Sequence, residues 1–345
     1  MTTPLYRPAP VDPTGAKPVQ QRHNPSGVAR GLLEGRRGIV KDHYSTGAEI
    51  LAQLKKVDPP PPRDATYVDR RAWADAHREA AMRLLAPIRD HKLALGGARP
   101  IGFMEDLYPE QPDFHLPFLN VQELHGAWGQ FREGVHLNVL GHKVHPFYGV
   151  YVPRRTEHLE LFGTWLSTYG GDEGHAFDVG TGSGVLAMML AKKGFARVTA
   201  TDINPNAVES VRRDVARQET PPPIRAVDAD LFAPAPPADL IVFNPPWTQG
   251  RVDEPFDAAL HAAPDLMPRF FEAAGDALAP GGRIVVIYSN IGQLLRPDDP
   301  HPLEEEVKLG RFTLEERSGR RLKSRGGKGN KKTREKVEVW VFSKA

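Results

Sequence analysis

The chain contains no cysteine among its 345 residues. Disulfides, thiolate metal sites and cysteine nucleophiles are therefore excluded, as is common for proteins of a reducing compartment. Long hydrophobic runs are also missing, because the longest apolar stretch, near 185–191, is far shorter than the roughly 20 residues that a membrane span needs. The polar, proline-rich first 25 residues do not have the pattern of a secretory signal peptide. We therefore expect a soluble, cytoplasmic protein with no membrane segment.

Proline and glycine, by contrast, are abundant, with 33 and 32 residues. Ten of the prolines lie within residues 1–62, and four of these form an unbroken run at 59–62. Because proline fixes φ and lacks an amide N–H, we predict a largely disordered segment over 1–62, interrupted by one short helix near Ile50. A helical pattern and then irregular strand-like runs follow. Residues 63–145 are therefore predicted to form a helical or mixed substrate-recognition region.

From about Leu159 the chain alternates between strand and helix patterns, which is typical of a parallel sheet with crossover helices. The predicted parallel strands lie at 176–179, 197–201, 224–227, 240–243 and 283–288. Two later strands, 312–316 and 336–342, have no helical pattern between them and are predicted to form an antiparallel pair at the sheet edge. The sequence thus predicts an α/β domain over 146–345, with a seven-stranded, mostly parallel sheet and a mixed N-terminal extension.

A glycine-rich loop joins the first predicted strand to the helix after it. Its sequence from residue 177 is Phe-Asp-Val-Gly-Thr-Gly-Ser-Gly. The alternate glycines let the backbone turn sharply and let a ligand approach where a Cβ would clash. The helix that follows would offer unpaired N–H groups to a carboxylate. Such a loop alone is also typical of dinucleotide-binding turns and of plain tight loops. Its candidate ligand contacts are Asp178, Gly180, Thr181, Gly182 and Gly184.

Three aspartates near the ends of successive strands narrow the choice of ligand. Asp178 precedes the glycines, where its carboxylate could meet an ammonium group or an ordered water. Asp202 ends the second strand, is followed by Ile203, and suits ribose hydroxyls, although a helix cap is the alternative. Asp230, followed by Leu231, comes after the third strand and suits an adenine amino group, with a plain turn as the alternative. Together they predict an adenosyl cofactor.

The fourth strand ends in the sequence Asn244-Pro245-Pro246-Trp247. Two prolines break the sheet ladder at the strand end where ligands bind in open α/β sheets. An amide or amino nitrogen is a poor nucleophile, but the Asn244 side-chain oxygen and the Pro245 carbonyl could hold its N–H groups and turn its lone pair toward an electrophile. Trp247 offers a flat face to a planar acceptor. The alternative is a proline turn with a core tryptophan.

Together, these motifs resemble the class I S-adenosylmethionine-dependent methyltransferases, which have a Rossmann-like fold. The Asn-Pro-Pro-aromatic sequence is similar to that of the glutamine methyltransferases of release factors and ribosomal proteins, and to that of RNA and DNA amino-methyltransferases. Residues 152–157, Val-Pro-Arg-Arg-Thr-Glu, resemble a segment that helps to close the cofactor pocket of the release-factor enzymes. The resemblance implies S-adenosylmethionine as cofactor, with Asn244 also near it, and makes Arg154, Thr156 and Glu157 second-rank binding candidates. The alternative for Thr156 is a helix cap.

The last two strands enclose a strongly basic segment, with ten lysines and arginines among residues 317–336. Such a segment could follow phosphates and bind RNA or a ribonucleoprotein, or it could be a solvated loop. His136, His142 and His145 cluster in sequence, but carboxylates at ligand spacing are missing nearby, so we expect no metal site. The oligomeric state does not follow from the sequence.

Four functions fit these features. The first is N-methylation of a protein glutamine side chain, which residues 152–157 favour. The second is methylation of an exocyclic amine of an RNA or DNA base, which Trp247 and the basic segment favour. The third is methylation of a small molecule, and the fourth is a non-catalytic module that binds S-adenosylmethionine or RNA. The complete Asn-Pro-Pro-Trp sequence argues against the fourth, because a module without catalysis does not need that geometry.

Overall fold

The computed structural model describes residues 3–62, 64–153, 155–249, 261–323 and 332–345. Contacts divide the chain into two units, one of residues 7–129 and one of residues 1–6 with 130–345. The boundaries expected at residues 62 and 145 do not coincide with this division. No helix in the described ranges is long and apolar enough to cross a membrane.

The unit of residues 7–129 contains a small mixed sheet and several helices. Its elements, in chain order, are β1 (Lys17–Val19), α1 (Pro25–Leu33), β2 (Gly38–Val40), α2 (Tyr44–Val57), α3 (Tyr67–Met82), β3 (Leu84–Arg89), β4 (Lys92–Leu93), α4 (Met104–Leu107), β5 (Phe114–Pro117) and most of α5 (Phe118–Glu133), whose last turn belongs to the second unit. Strands β1, β2 and β3 are parallel, and β4 and β5 each pair antiparallel with β3. Strand β3 is buried along most of its length and forms the centre of this sheet.

The prediction that residues 1–62 are largely disordered is wrong, because β1, α1, β2 and α2 lie within them. The prolines occupy positions that these elements tolerate. Pro18 lies in the edge strand β1, and Pro25 begins α1, where its missing N–H costs nothing. Asn24 caps α1 by accepting from the backbone N–H of Ser26. The run of prolines at 59–62 lies between α2 and α3, outside both helices.

The second unit contains the large sheet. Its elements are β6 (Val135–Leu137), β7 (His142–Val144), α6 (Glu157–Thr168), β8 (Ala176–Val179), α7 (Val185–Lys193), β9 (Val198–Asp202), α8 (Pro205–Arg217), β10 (Ile224–Asp228), β11 (Ala238–Phe243), β12 (Thr248–Gln249), β13 (His261–Ala262), α9 (Leu266–Ala277), β14 (Leu278–Ser289), α10 (Ile291–Leu295), α11 (Pro302–Leu309), β15 (Phe312–Lys323) and β16 (Lys332–Lys344).

The large sheet has seven strands in the order β10-β9-β8-β11-β14-β16-β15. The first five are parallel, and β16 runs antiparallel to both β14 and β15. The predicted Rossmann-like architecture, a mostly parallel sheet with an antiparallel pair at one edge, is confirmed. The chain goes from β8 to β9 on one side and reaches β11 on the other, so the carboxyl ends of β8 and β11 flank a switch point, where such sheets bind ligands.

Alternate side chains of the central strands enter two separate cores. Leu240 and Val242 of β11 pack in the core that contains Phe162 of α6, whereas Ile241 and Phe243 pack in the core that contains Phe270 of α9. Because both faces are buried, these strands are mostly apolar, and Asp178 and Asp202 lie in the last two residues of β8 and β9. The fold therefore concentrates its polar chemistry at the carboxyl edge of the sheet.

Candidate functional site

The glycine loop between β8 and α7 is held by hydrogen bonds to the neighbouring strand. Gly182 has a φ of +53°, and its N–H donates to the Asp202 carboxylate at 2.8 Å. The N–H of Thr181 donates to the Thr201 carbonyl, also at 2.8 Å. Gly184 has a φ of +77°, and a Cβ there would lie 2.8 Å from a methyl group of Val211. Gly184 therefore allows α7 to pack on α8 and does not line the cavity described below.

Asp178 lies behind this loop. Its carboxyl is fully buried, and one oxygen accepts from the Thr181 hydroxyl at 2.6 Å and from the Ala187 N–H at 2.9 Å. The other oxygen, Oδ1, has no hydrogen-bond partner among the described residues. Burial raises the pKa of Asp178 to about 7, since the charged form loses its hydration. Asp178 thus supports the loop and the start of α7, and it is not part of the cavity wall.

Asp202 presents its carboxylate at the end of β9. One oxygen accepts from Gly182 and the other from the N–H of Asn204, each at 2.8 Å. Burial raises the pKa of Asp202 to about 6. Asn204, and not Asp202, is the N-cap of α8, where it accepts from the N–H of Asn206. Ile203 is 62% exposed although its side chain is apolar, and it borders the cavity beside Asp202.

Asp230 forms an ion pair with an arginine side chain. Its carboxylate accepts from the Arg269 guanidinium at 2.8 Å, and both side chains are partly exposed at the cavity wall. Leu231 has a φ of +66° and also borders the cavity. The ring of Phe232 packs in the core, 5.2 Å from the ring of Phe177. Of the two apolar residues after Asp230, therefore, only Leu231 offers a surface to a ligand there.

The loop, the strand ends and the Asn-Pro-Pro-Trp sequence line one cavity of about 630 Å³. Most of the residues predicted from the sequence border it, namely Gly180, Thr181, Gly182, Asp202, Ile203, Asp230, Leu231, Asn244, Pro245, Pro246 and Trp247. Four predicted residues do not, namely Asp178, Gly184, Thr156 and Glu157. Arg154 lies outside the described residues.

Thr156 and Glu157 start α6 near this cavity. Thr156 holds the N-cap position, but its side chain makes no capping hydrogen bond. Its hydroxyl instead donates to the Glu160 carboxylate at 3.0 Å. Thr156 therefore occupies the N-cap position, as the alternative predicted, but it does not cap the helix through its side chain. Glu157 is the first residue of α6.

At the β11 end of the cavity, Asn244 and Trp247 are hydrogen bonded to each other. The indole Nε1 of Trp247 donates to the Asn244 side-chain oxygen at 3.1 Å and to the Ile287 carbonyl at 3.3 Å. The ring of His158 lies perpendicular to the indole, with the ring centres 5.2 Å apart. His158 is only 4% exposed, and burial lowers its pKa to about 4, so its ring is neutral near pH 7.

Several cavity residues were missed from the sequence. His158 is the second residue of α6, and its place in the helical pattern did not distinguish it from a surface residue. Arg269 lies in α9 without any motif around it. The pairing of each with a residue that was predicted, His158 with Trp247 and Arg269 with Asp230, depends on tertiary contacts that have no local sequence signal.

A further wall was also missed. It consists of residues 149–151, which precede α6. The N-terminal segment holds this wall: the N–H and C=O of Tyr6 bond to the side chain of Asn206, each at 2.8 Å, and the ring of Tyr6 stacks on Tyr148. The Asn206 amide also donates to the Tyr148 carbonyl at 2.8 Å. Asn206 is fully buried, so these hydrogen bonds fix the wall next to α8.

The basic segment at 317–336 is described only at its two ends, and residues 324–331 lie outside the described residues. Within the described part, Arg317 pairs with Glu338 at 3.0 Å and Arg320 pairs with Glu160 at 3.0 Å. These cations are therefore partly neutralised within the chain. Among the described residues, no group of three or more histidine or carboxylate side chains is arranged to hold a metal ion.

Comparison with known proteins confirms the resemblance to methyltransferases. Residues 160–294 match the family model of the methyltransferase small domain. A Methanocaldococcus jannaschii protein provisionally named a protein N5-glutamine methyltransferase is 29% identical over 122 residues, which are 33% of this chain and 61% of that protein. The tRNA1(Val) (adenine(37)-N6)-methyltransferase of Edwardsiella ictaluri is 38% identical over 93 residues, which are 25% of this chain and 36% of that protein.

The chain thus spans less than two thirds of the length of these relatives. Among solved structures, the ribosomal protein L11 methylase of Lactobacillus delbrueckii subsp. bulgaricus is 22% identical, with a TM-score of 0.36. The match covers 56% of this chain and 81% of that one.

Proposed function

We propose that this chain is an S-adenosylmethionine-dependent N-methyltransferase that acts in the cytoplasm on a planar amide or amino nitrogen of a macromolecule. The observation that carries the proposal is that the glycine loop, Asp202 and the Asn-Pro-Pro-Trp sequence line a single cavity. The match of residues 160–294 to a methyltransferase family supports it.

The residues of the cavity fit the adenosyl cofactor. When bound, S-adenosylmethionine would supply a methyl group on a positively charged sulfur. Each oxygen of the Asp202 carboxylate accepts one backbone N–H and keeps a lone pair for a ribose hydroxyl. Ile203 and Leu231 offer apolar surface to a flat base. The buried, unpartnered Oδ1 of Asp178 lies behind the loop and suits an indirect contact with the ammonium group.

The strand end at Asn244 would hold the acceptor nitrogen. Pro245 and Pro246 have no N–H, so β11 ends at Phe243, and the carbonyl and side-chain oxygens that follow are available for a ligand. The Asn244 oxygen and the Pro245 carbonyl would accept the N–H groups of the acceptor and stabilise the positive charge that develops on nitrogen. As nitrogen gains the methyl group it loses a proton, which passes to water. Alignment of the two bound reactants would supply much of the remaining acceleration.

We favour a protein glutamine side chain as the acceptor. The pairing of Arg317 and Arg320 with carboxylates leaves the described part of the basic segment with less charge for phosphates. The resemblance of residues 152–157 to the release-factor glutamine enzymes supports the same choice. The second candidate is an exocyclic amine of an RNA base, which the flat Trp247 beside Asn244 and the several tRNA adenine-N6 methyltransferases among the relatives favour.

The experiment that tests the proposal is transfer of labelled methyl from S-adenosylmethionine into extract of a strain that lacks this protein, followed by nuclease or protease. We expect label that protease releases and nuclease does not, recovered as methylglutamine after complete enzymatic digestion or as methylamine after acid hydrolysis. Release by nuclease would support the RNA-base candidate instead. If the protein binds the cofactor but no macromolecule gains label, the proposal fails. The exposed Asn138, replaced by alanine, is a matched control for substitutions at Asn244.

A further inference from the structure

The indole of Trp247 determines how the carboxamide of Asn244 is oriented. Its Nε1 lies 3.1 Å from one polar atom of that carboxamide. An indole N–H can only donate, so the atom that faces it must be the oxygen and not the nitrogen of Asn244. An oxygen acceptor has two lone pairs, and this contact occupies one of them. The second is left for another donor.

The indole is itself fixed by the sheet. The same N–H reaches the Ile287 carbonyl at 3.3 Å, one residue beyond Val286, which pairs with Phe243 at the end of β11. Because the two prolines that follow Asn244 lack N–H groups, they cannot donate to β14 there, and the indole N–H does so. Trp247 thus links Asn244 to a strand that is buried at this point.

Two further contacts hold the tryptophan in place. The ring of His158 lies perpendicular to the indole at 5.2 Å, and both residues border the cavity. A Cβ at Gly292 would lie only 2.8 Å from the Trp247 carbonyl, so the start of α10 packs closely on its backbone. An indole held by a strand and a histidine ring, on a backbone packed against a helix start, has little freedom to turn.

We propose that Trp247 is a positioning residue, whose indole N–H holds the Asn244 oxygen in the orientation that receives the acceptor nitrogen, while His158 fixes the indole ring. This inference rests on the proposed function, because the acceptor nitrogen is part of it. It differs from a role in which Trp247 is only a flat wall. Phenylalanine would preserve such a wall and remove the N–H.

The first test needs no acceptor. In protein labelled with ¹⁵N, the indole N–H of Trp247 is identified as the signal that disappears in Trp247→Phe. We expect this N–H to exchange slowly with solvent, and to shift and exchange faster in Asn244→Ala. A Trp247 signal that exchanges as fast as an exposed indole, or that Asn244→Ala leaves unchanged, would overturn the proposal whether or not the chain methylates anything.

The second test measures the initial rate of methyl transfer at several dilutions of the extract that contains the acceptor. If Trp247 positions Asn244, Trp247→Phe should lower kcat on the order of tenfold or more, with much less change in KM and in cofactor affinity. If it is only a wall, Trp247→Phe keeps an aromatic face and should leave both kcat and KM nearly unchanged, which overturns the proposal. Trp165→Phe is the control, because Trp165 is a buried tryptophan of α6 outside the cavity, and it should leave both constants unchanged. No transfer by the wild-type protein would count against the proposed function, whereas the exchange test would still decide the hydrogen bond.

Discussion

The backbone N–H of Gly182 donates to the carboxylate of Asp202 at 2.8 Å, and this hydrogen bond joins the glycine loop to the end of β9. Asp202 shapes the loop, and in the proposed function its remaining lone pairs also bind the cofactor ribose. Loss of its side chain should affect cofactor binding more than loss of an ordinary surface carboxylate.

We predict that Asp202→Ala lowers the affinity for S-adenosylmethionine on the order of tenfold to a hundredfold, which is the range for losing hydrogen bonds to a charged group. Isothermal titration calorimetry measures this directly. Asp276→Ala, at an exposed position of α9, is the control and should bind as the wild type does. Equal affinities for the two variants would show that Asp202 does not bind the ribose.

The burial of Asp178 makes stability depend on pH. Its pKa is about 7 in the folded chain, above the ordinary value of 3.8, so the folded state holds a proton that the unfolded state has released. The contribution of Asp178 to the free energy of unfolding should therefore fall as pH rises from about 4 to about 7, opposite in sign to that of the buried His158. A shift of this size corresponds to a loss on the order of 4 kcal/mol.

In Asp178→Asn the side chain no longer ionises, so this part of the pH dependence should disappear. Urea unfolding between pH 4 and pH 8 measures the change. A variant with the same slope as the wild type would contradict the burial of a carboxyl at this position. Asp276→Asn should retain the wild-type slope.

We expect Asn244→Ala to lower kcat on the order of a hundredfold or more and to leave the affinity for S-adenosylmethionine nearly unchanged, because the oxygen that it removes would stabilise charge only in the transition state. Asn244→Asp keeps oxygen acceptors toward Trp247 and should retain more activity than the alanine variant. An active Asn244→Ala enzyme would mean that the acceptor nitrogen binds elsewhere.

The wall at residues 149–151 depends on Asn206. Asn206→Ala removes three hydrogen bonds of a buried side chain, two to Tyr6 and one to Tyr148, and should lower the free energy of unfolding by about 3 kcal/mol. Because the wall borders the cavity that we propose for the cofactor, affinity for S-adenosylmethionine should fall as well. Thermal unfolding with and without the cofactor measures both effects. Asn138→Ala should change neither. An Asn206→Ala variant that is as stable as the wild type but binds the cofactor weakly would show that Asn206 supports the wall without stabilising the fold.

The basic residues at 324–331 distinguish the two acceptor candidates. We predict that replacing Arg325, Lys328 and Lys331 by serine leaves transfer to a protein acceptor unchanged. If the acceptor is RNA, affinity should fall and the slope of log affinity against log salt should decrease, by up to about one for each phosphate that the variant no longer binds. Initial rates between 50 and 200 mM salt, on the order of the range where such effects are large, would reveal this difference.

The large sheet could be predicted from the sequence because its signals are local. The parallel strands are short and rich in apolar residues, and residues at the strand ends, such as Asp202 and Asn244, are polar breaks in that pattern. These residues do line the cavity. Their neighbours His158 and Arg269 could not be predicted, because each comes from a helix whose pattern does not show which residues it meets across the fold.

The N-terminal region was predicted less well for a related reason. Its prolines suggested disorder, but proline is excluded only from the interiors of helices and central strands. Pro18 in an edge strand and Pro25 at the first position of α1 are compatible with those elements. Whether the strand and the helix form depends on tertiary contacts, which the local sequence does not show.

The close packing at Gly184 affects how a mutational scan of the loop should be interpreted. An alanine there would strain the backbone at a φ of +77° and also collide with Val211, so an inactive variant at this position reports a failure of α7 to pack on α8. At Gly182, where the nearest atom to an added Cβ is 3.8 Å away, an inactive variant reports backbone strain and the loss of space for a ligand. A count of inactive variants along this loop would therefore combine failures of folding with failures of binding. Parallel measurement of the amount of folded protein for each variant would separate the two.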